Sequence, residues 1–166
     1  HGGSGISMLR VAIVVVSSKV LTGREPDAGR AGLERMVGEI PALLMAYDVV
    51  ADDRTAIRDR LQVLCDHDRP DLLCTVGGTG VRPTDWAPEA TRDVIEKEIP
   101  GIGEAMRGQS LKKVQTAMLS RGTAGVRGNT LIVNLPGSPT GAKENLAILL
   151  PILEHTVAKI RRDVVA

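Results

Sequence analysis

Short runs of Val, Leu and Ile alternate along the chain with longer segments whose apolar residues have helical spacing. The first run, Val11 to Ser17, is almost wholly apolar, as strands buried on both faces of a parallel sheet are. Strands that alternate with helices build an α/β fold, in which helices cover the faces of a central sheet. The alternation therefore predicts a single α/β domain with a mostly parallel sheet.

The same patterns place the individual elements. Glycines 122, 125 and 128 indicate turns or a short hairpin, and Pro151 is expected to kink or restart the last helix. His155 lies among apolar neighbours in that helix and is interpreted as a packing residue. The predicted strands cover 11–17, 43–50, 72–76 and 130–134; the predicted helices cover 28–39, about 53–67, a segment begun at Pro88, 102 to about 115, and 142–157.

Composition excludes several classes of protein. The 166 residues suit one domain, and the chain has one Trp, one Tyr and no Phe, which excludes a platform for stacking single-stranded nucleic acid. Its 21 basic and 20 acidic residues give a net charge of +1, which argues against nucleic acid or an anionic membrane as a partner. No apolar run approaches the length of a membrane span.

The ends and the cysteines allow three further interpretations. Residues 1–7 have the composition of a purification-tag remnant, which places the natural start at Met8 and the domain at 8–166. No signal peptide is visible, so the expected location is the cytoplasm. Cys65 and Cys74 lack CxxC spacing and have apolar neighbours, so buried, reduced thiols are expected.

Polar or Gly-rich residues follow each of the four predicted strands. Ligands of open α/β sheets bind outside the carboxyl ends of the strands. If the four strands are parallel, the four segments lie on one edge of the sheet and form a site. The segments are Ser17-Ser18, Asp52-Asp53, Gly77 to Asp85, and Leu135 to Thr140.

The segment GGTGVRPTD, residues 77–85, carries the most information. Its three glycines permit positive φ angles and expose backbone N–H groups, so the loop can wrap a phosphate or another anion. A tight strand-to-helix turn explains the same glycines. The chain contains neither GxxxxGK[ST] nor GxGxxG, so P-loop and dinucleotide-binding functions lose their main support.

Two aspartates near this loop are candidate metal ligands. Asp52 and Asp85 follow neighbouring strands, and Mg²⁺ favours one or two carboxylates together with substrate phosphates. A helix N-cap is an alternative role for each aspartate, and Asp53 competes with Asp52 for both roles.

Two other segments are candidate anion sites. Pro136, Gly137 and Ser138 form a stiff loop that suits an anion or a flat polar ring, although a plain stop before the last helix is equally compatible. Arg121, beside Ser120, can make a bidentate phosphate contact, although an exposed arginine is usually only solvated.

The motifs TVGGTGVRPTD, PEAT, PGIGEAMR and SRGTAGVRGNTLIVNLPGSP, in this order, resemble those of the MoaB/Mog molybdopterin-binding family. The resemblance implies a three-layer α/β/α domain that forms trimers and sometimes hexamers. It also implies Mg-ATP-dependent adenylylation of molybdopterin with release of pyrophosphate. It implies that Asp52 and Asp85 are the catalytic acids and hold Mg²⁺. It also implies substrate- or nucleotide-binding roles for Gly77, Gly78, Thr79, Gly80, Glu104, Met106, Arg107, Ser120, Arg121, Pro136, Gly137 and Ser138.

The chain departs from the family pattern at three positions near the site. Ser18 stands where the family usually has an acid, Thr84 where it has an arginine, and Ala87 where it has a hydroxyl. Arg82 is near enough in sequence to replace the missing charge. The departures at Thr84 and Ala87 favour an alternative function, a catalytically silent molybdopterin-binding module, whereas both retained aspartates favour the enzyme.

Overall fold

The four predicted strands form the parallel part of a six-stranded sheet. The computed structural model describes residues 8–161, so the interpretation of residues 1–7 lies outside the described residues. In chain order the strands are β1 (Leu9–Val16), β2 (Ala42–Val50), β3 (Leu72–Val76), β4 (Lys97–Glu98), β5 (Ala124–Arg127) and β6 (Thr130–Leu135). The order across the sheet is β2-β1-β3-β6-β5-β4. The first four of these are parallel, whereas β5 is antiparallel to β6 and to β4.

Among residues 8–161, five α-helices lie between the strands and a sixth follows the last strand. They are α1 (Ser18–Leu21), α2 (Arg30–Gly38), α3 (Arg54–Val63), α4 (Ala87–Val94), α5 (Pro100–Leu111) and α6 (Pro139–Arg161). A π-helical turn, Leu64–Asp68, follows α3, and a 3-10 helix, Gln115–Leu119, follows α5. The hairpin predicted from the glycines connects β5 to β6, where Gly128 has a φ of 57°.

The side chains of β1 divide between two cores, which confirms the three-layer architecture. Val11, Ile13 and Val15 pack with α2, α5 and α6 on one face of the sheet. Ala12 and Val14 pack with α3 and α4 on the other face. Successive side chains of a strand point to opposite faces, so a strand covered on both sides is a continuous apolar run.

Two helices differ from their predicted forms. The helix predicted to about residue 67 leaves the α conformation after Val63 and ends at Arg69, which is left-handed with a φ of 52°. The last helix runs through Pro151 without a break. Pro151 and Ala147 lie on the exposed side of α6, so water can satisfy the carbonyl that loses its intrahelical donor.

The interpretation of His155 as a packing residue is wrong, because its side of α6 faces solvent. Its apolar sequence neighbours Leu153 and Val157 are buried, but they lie two positions away, on another face of the helix. Cys65 and Cys74 are buried free thiols, as predicted. Burial raises the pKa of Cys65 to about 11 and that of Cys74 to about 12.

A buried polar network anchors α4 to the sheet. Asn134 of β6 donates from Nδ2 to the hydroxyls of Thr75 on β3 and Thr91 on α4, both at 2.9 Å. Its Oδ1 accepts from the N–H of Thr123 at 3.1 Å. Buried polar groups that are satisfied in this way favour one packing arrangement. The network therefore ties α4 to β3 and β6.

Within residues 8–161, no helix combines the length and the apolar character that crossing a membrane requires.

Candidate active site

A cleft of about 970 Å³ opens at the carboxyl ends of the parallel strands. The four segments predicted to converge there contribute to its lining: Ser17 and Ser18 after β1, Asp52 after β2, the loop after β3, and Gly137 with Pro139 after β6. The segment between α1 and α2, residues 24–29, forms a further wall. The loops lie side by side because β2, β1, β3 and β6 are parallel neighbours in the sheet, so their carboxyl ends meet at one edge.

The loop after β3, residues 77–85, is called the glycine-rich loop below. Gly77 and Gly78 have φ angles of 100° and 71°. A Cβ atom at Gly77 would lie 2.9 Å from the carbonyl oxygen of Val16, and the Gly77 N–H donates to the Leu135 carbonyl at 3.0 Å. Glycine is therefore required for the loop to pass between the ends of β1 and β6.

The structure separates the roles of the two aspartates after β2. Asp53 is the N-cap of α3, because its Oδ2 accepts from the Ala56 N–H at 2.9 Å. Asp52 instead faces Ser18: its Oδ2 accepts from the Ser18 N–H at 3.0 Å, and its own N–H donates to the Ser18 hydroxyl at 2.8 Å. These reciprocal bonds hold the Asp52 carboxylate at the cleft.

Asp85 also lines the cleft and is held by its own loop. Its Oδ2 accepts from the Arg82 N–H at 2.9 Å, and its N–H donates to the Arg82 carbonyl at 3.0 Å. A Cβ atom at Gly80 would lie 2.9 Å from Asp85 Oδ2. Trp86, rather than Asp85, occupies the N-cap position of α4, so the capping alternative for Asp85 does not apply.

Two arginines to which the resemblance gives a binding role, Arg121 and Arg107, donate to main-chain carbonyls. Arg121 donates to the carbonyls of Gly80 at 2.7 Å and Asp85 at 2.9 Å, and its guanidinium also bonds the carboxylate of Glu89. Arg107 on α5 donates to the Gly122 carbonyl at 2.6 Å. The Ser120 hydroxyl accepts from the N–H of Gly122 at 3.3 Å.

Of the other residues that the resemblance implies, some line the cleft and others lie away from it. Thr79 is nearly buried in the glycine-rich loop, with its carbonyl accepting from the Arg121 N–H. Ser138 directly precedes α6, and its Oγ accepts from the Gly141 N–H at 3.0 Å; Pro136 is half-buried nearby. Glu104 is exposed on α5, whereas Met106, two residues further on, is buried in the core. The residues of the set that line the cleft are Asp52, Gly77, Gly78, Thr79, Gly80, Asp85 and Gly137.

Lys19, Arg24 and Arg82 line the cleft and oppose the negative charge of the aspartates. Sequence reasoning named Arg82 but missed Lys19, Arg24 and the outer wall. Lys19 follows Ser17-Ser18 directly, so its position at a strand end was the available signal. No pattern in the sequence identifies Arg24, because the segment between α1 and α2 folds over the cleft through tertiary contacts.

The wall formed by residues 24–29 is anchored by Tyr47, the only tyrosine of the chain. The Tyr47 hydroxyl donates to Asp27 Oδ2 at 2.7 Å, and the Arg30 guanidinium lies 4.4 Å from the centre of the Tyr47 ring. Burial and the Asp27 carboxylate raise the pKa of Tyr47 well above its ordinary value. Tyr47 therefore remains a neutral donor and holds the wall in place.

The donor set of the cleft suits Mg²⁺ delivered with a phosphate ligand. No group of three His, Cys, Asp or Glu side chains able to hold a metal occurs among the described residues. Asp52 and Asp85 nevertheless line one cleft, and each engages only Oδ2 in hydrogen bonds with residues 8–161. Mg²⁺ commonly takes one or two carboxylates and completes its shell with water and substrate phosphates, so two carboxylates are enough.

The chain matches known proteins over most of its length. Residues 12–155 match the family described as "Probable molybdopterin binding domain". The chain is 38% identical over 151 residues to the molybdopterin adenylyltransferase of Helicobacter pylori strain J99, covering 90% of this chain and 86% of that protein. It is 37% identical over 145 residues to the molybdopterin adenylyltransferase of Escherichia coli K12, covering 85% and 73%.

The crystal structure of the molybdopterin biosynthesis enzyme MoaB from Thermus thermophilus shares the fold. Its TM-score is 0.86 at 43% identity, with 92% of this chain and 96% of that chain covered. The motifs, the sheet order with its cleft, and the extent of these matches together show that the chain belongs to the MoaB/Mog molybdopterin-binding family of molybdenum-cofactor biosynthesis.

Proposed function

We propose that the protein adenylylates molybdopterin with Mg-ATP and releases pyrophosphate. The observation that carries this proposal is that two carboxylates, Asp52 and Asp85, share one cleft with the glycine-rich loop. In the reaction, an oxygen of the molybdopterin phosphate attacks the α-phosphorus of ATP. The bond from that phosphorus to the bridging oxygen breaks, and pyrophosphate leaves with its electron pair.

The residues of the cleft act by position and charge. Gly77, Gly78 and Gly80 allow the loop to bring backbone N–H groups close to the nucleotide phosphates. Asp52 and Asp85 would hold Mg²⁺, which supplies charge neutralisation at the phosphates. The loop of Gly137 and Ser138, at the start of α6, receives the phosphate end of molybdopterin. Transfer of this kind needs alignment and charge stabilisation rather than a covalent enzyme intermediate.

A catalytically silent molybdopterin-binding module is the second candidate. Thr84 lines the cleft without a charge, and Ser18 bonds Asp52 where the family usually has an acid. The Thr84 position lacks a positive charge for the ATP phosphates, and the Ser18 position lacks a carboxylate. The Ser18 hydroxyl still accepts the Asp52 N–H, and Arg82 keeps a guanidinium on the cleft, which favours the enzyme.

The assembly is proposed to be a homotrimer. Four large apolar side chains, Leu111, Val114, Met118 and Leu119, are 43–64% exposed at the end of α5 and in the 3-10 helix after it. Exposed apolar groups of this density are typical of surfaces that another subunit covers. Light scattering should give three times the chain mass of 17.6 kDa; the mass of a monomer contradicts this proposal.

The proposed substrates of the protein, ATP and a cofactor precursor, suit the cytoplasm as its location.

The decisive experiment follows pyrophosphate release and adenylylated pterin from molybdopterin and Mg-ATP. Wild-type protein should form both products, and Asp85→Asn should lower turnover about 10²–10³-fold, the usual cost of one key electrostatic group. Asp93→Asn, an exposed aspartate on α4 paired with Arg54, is the matched control and should retain turnover. Binding of molybdopterin without product would instead establish the silent module.

A further inference from the structure

Arg121 donates hydrogen bonds to both ends of the segment from Gly80 to Asp85. Its Nε donates to the Gly80 carbonyl at 2.7 Å and its Nη2 to the Asp85 carbonyl at 2.9 Å. The Arg121 N–H donates to the Thr79 carbonyl at 2.8 Å. A planar guanidinium presents its donors in a fixed fork, so two bonds set the separation of the two carbonyls. Residues 80–85 are thereby closed into one rigid turn.

Arg121 is itself held from α5. Arg107 donates to the carbonyl of Gly122 at 2.6 Å and, more weakly, to that of Ser120 at 3.4 Å, the residues on either side of Arg121. A Cβ atom at Gly103 would lie 2.6 Å from the Gly122 carbonyl oxygen, so glycine lets α5 approach this segment. The direction of the Arg121 side chain is therefore determined before any ligand binds.

The third nitrogen of the guanidinium binds α4. Arg121 Nη1 donates to Glu89 Oε2, while Glu89 Oε1 is buried and accepts no hydrogen bond within residues 8–161. Burial raises the pKa of Glu89, but the hydrogen bond and charge of Arg121 outweigh it, so the net shift is downward. Glu89 stays ionised because of Arg121, and the pair ties the loop to the helix that follows it.

The carboxylate of Asp85 depends on this turn. Its Oδ2 accepts from the Arg82 N–H at 2.9 Å and lies 2.9 Å from where a Cβ atom at Gly80 would be. This hydrogen bond and the close approach of Asp85 to Gly80 both lie within residues 80–85, whose ends Arg121 bonds. We infer that Arg121 is a positioning residue that fixes the Asp85 carboxylate in the cleft through the glycine-rich loop, rather than a ligand of the substrate phosphates. The catalytic part of this inference rests on the proposed function.

Trp86 provides a readout of the loop that needs no catalysis. It is the only tryptophan of the chain, is 37% exposed, and lines a small hollow together with Arg121 and Glu89. The test compares Arg121→Lys and Arg121→Ala with wild type, and uses Arg58→Ala as the control. Arg58 is a half-buried residue of α3 whose guanidinium pairs with its neighbour Asp59. Acrylamide quenching of Trp86 fluorescence, kcat and the KM for ATP are measured for each protein.

Both Arg121 variants should increase quenching of Trp86 and lower kcat about 10²-fold, the cost of misplacing a reacting group by about 1 Å. The KM for ATP should change little, because no phosphate contact is lost. Arg58→Ala should match wild type in all three. Lysine keeps a charge beside Glu89 but cannot bond both carbonyls, so this variant decides the test if the alanine variant does not fold.

Two results would overturn the inference. A raised KM for ATP with normal kcat would make Arg121 a substrate ligand. Unchanged Trp86 quenching in Arg121→Lys would show that the guanidinium does not restrain the loop. If wild-type protein forms no product, the proposed function fails, but the quenching comparison still decides whether Arg121 holds the loop.

Discussion

Asp52 and Asp53 are adjacent carboxylates with separable roles, and neutralising each in turn tests the site sharply. Asn replaces Asp with almost the same shape, so Asp52→Asn and Asp53→Asn each remove one negative charge, at positions only one residue apart. Asp52 lines the cleft and bonds Ser18, whereas Asp53 caps α3 and is exposed. A difference in turnover between the two variants must therefore come from position rather than net charge.

The expected magnitudes follow from the contacts. Asp52→Asn keeps an amide oxygen for the Ser18 N–H but loses the charge proposed to hold Mg²⁺, so turnover should fall about 10²–10³-fold, or about 2.7–4 kcal/mol. Asp53→Asn should retain turnover and stability, since Asn caps helices about as well as Asp. Asp53→Ala removes the cap acceptor and should cost about 1 kcal/mol. For a chain of this length that lowers Tm by about 2–4 °C.

The assay is pyrophosphate release at saturating Mg-ATP and molybdopterin, with thermal unfolding measured on the same samples. The reasoning is refuted if Asp53→Asn loses as much turnover as Asp52→Asn while both unfold at the wild-type temperature. It is also refuted if Asp52→Asn remains fully active, because Asp52 would then have no electrostatic part in the reaction.

Three further predictions concern stability. Gly77→Ala should destabilise the fold by about 1–3 kcal/mol in urea unfolding, because φ is 100° and the new Cβ meets a carbonyl oxygen, whereas Gly128→Ala, with open space around it, should cost less. Asp71→Ala should cost about 1–3 kcal/mol, because this nearly buried carboxylate accepts a main-chain N–H of β1 at 2.9 Å; equal stability of variant and wild type would contradict this. Glu89 has a lowered pKa in the folded protein, so its contribution to stability is present above its ordinary pKa and is lost as pH falls through the folded value. The stability gap between wild type and Glu89→Gln should therefore shrink in acid below about pH 4.3, and a gap that widens there contradicts the assigned role of Arg121.

The fold was predictable from the sequence because its signals are local. A strand buried on both faces must be apolar at every position, as in Val11 to Val16, and this pattern needs no knowledge of what covers each face. Parallel strands place their carboxyl ends together, so the convergence of Ser18, Asp52 and the glycine-rich loop followed from strand order. Glycines 77 and 78 marked a loop with positive φ for the same local reason.

The division of roles between neighbouring residues required the tertiary structure. Asp52 and Asp53 are chemically identical in sequence, and only the entry of the chain into α3 assigns the cap to Asp53. Met106 and Glu104 share one motif, yet the rotation of α5 buries the first and exposes the second. His155 was misjudged in the same way, because residues two apart on a helix lie on different faces.

The sequence by itself determined the α/β class, the strands and the edge of the sheet at which the site lies, since these depend on side-chain periodicity and chain order. Only the tertiary structure decided that Arg107 and Arg121 bond main-chain carbonyls, and that residues 24–29 form a wall of the cleft. These long side chains bond groups 13 to 41 positions away in the chain. Contacts of that range are set by packing, and no local pattern encodes them.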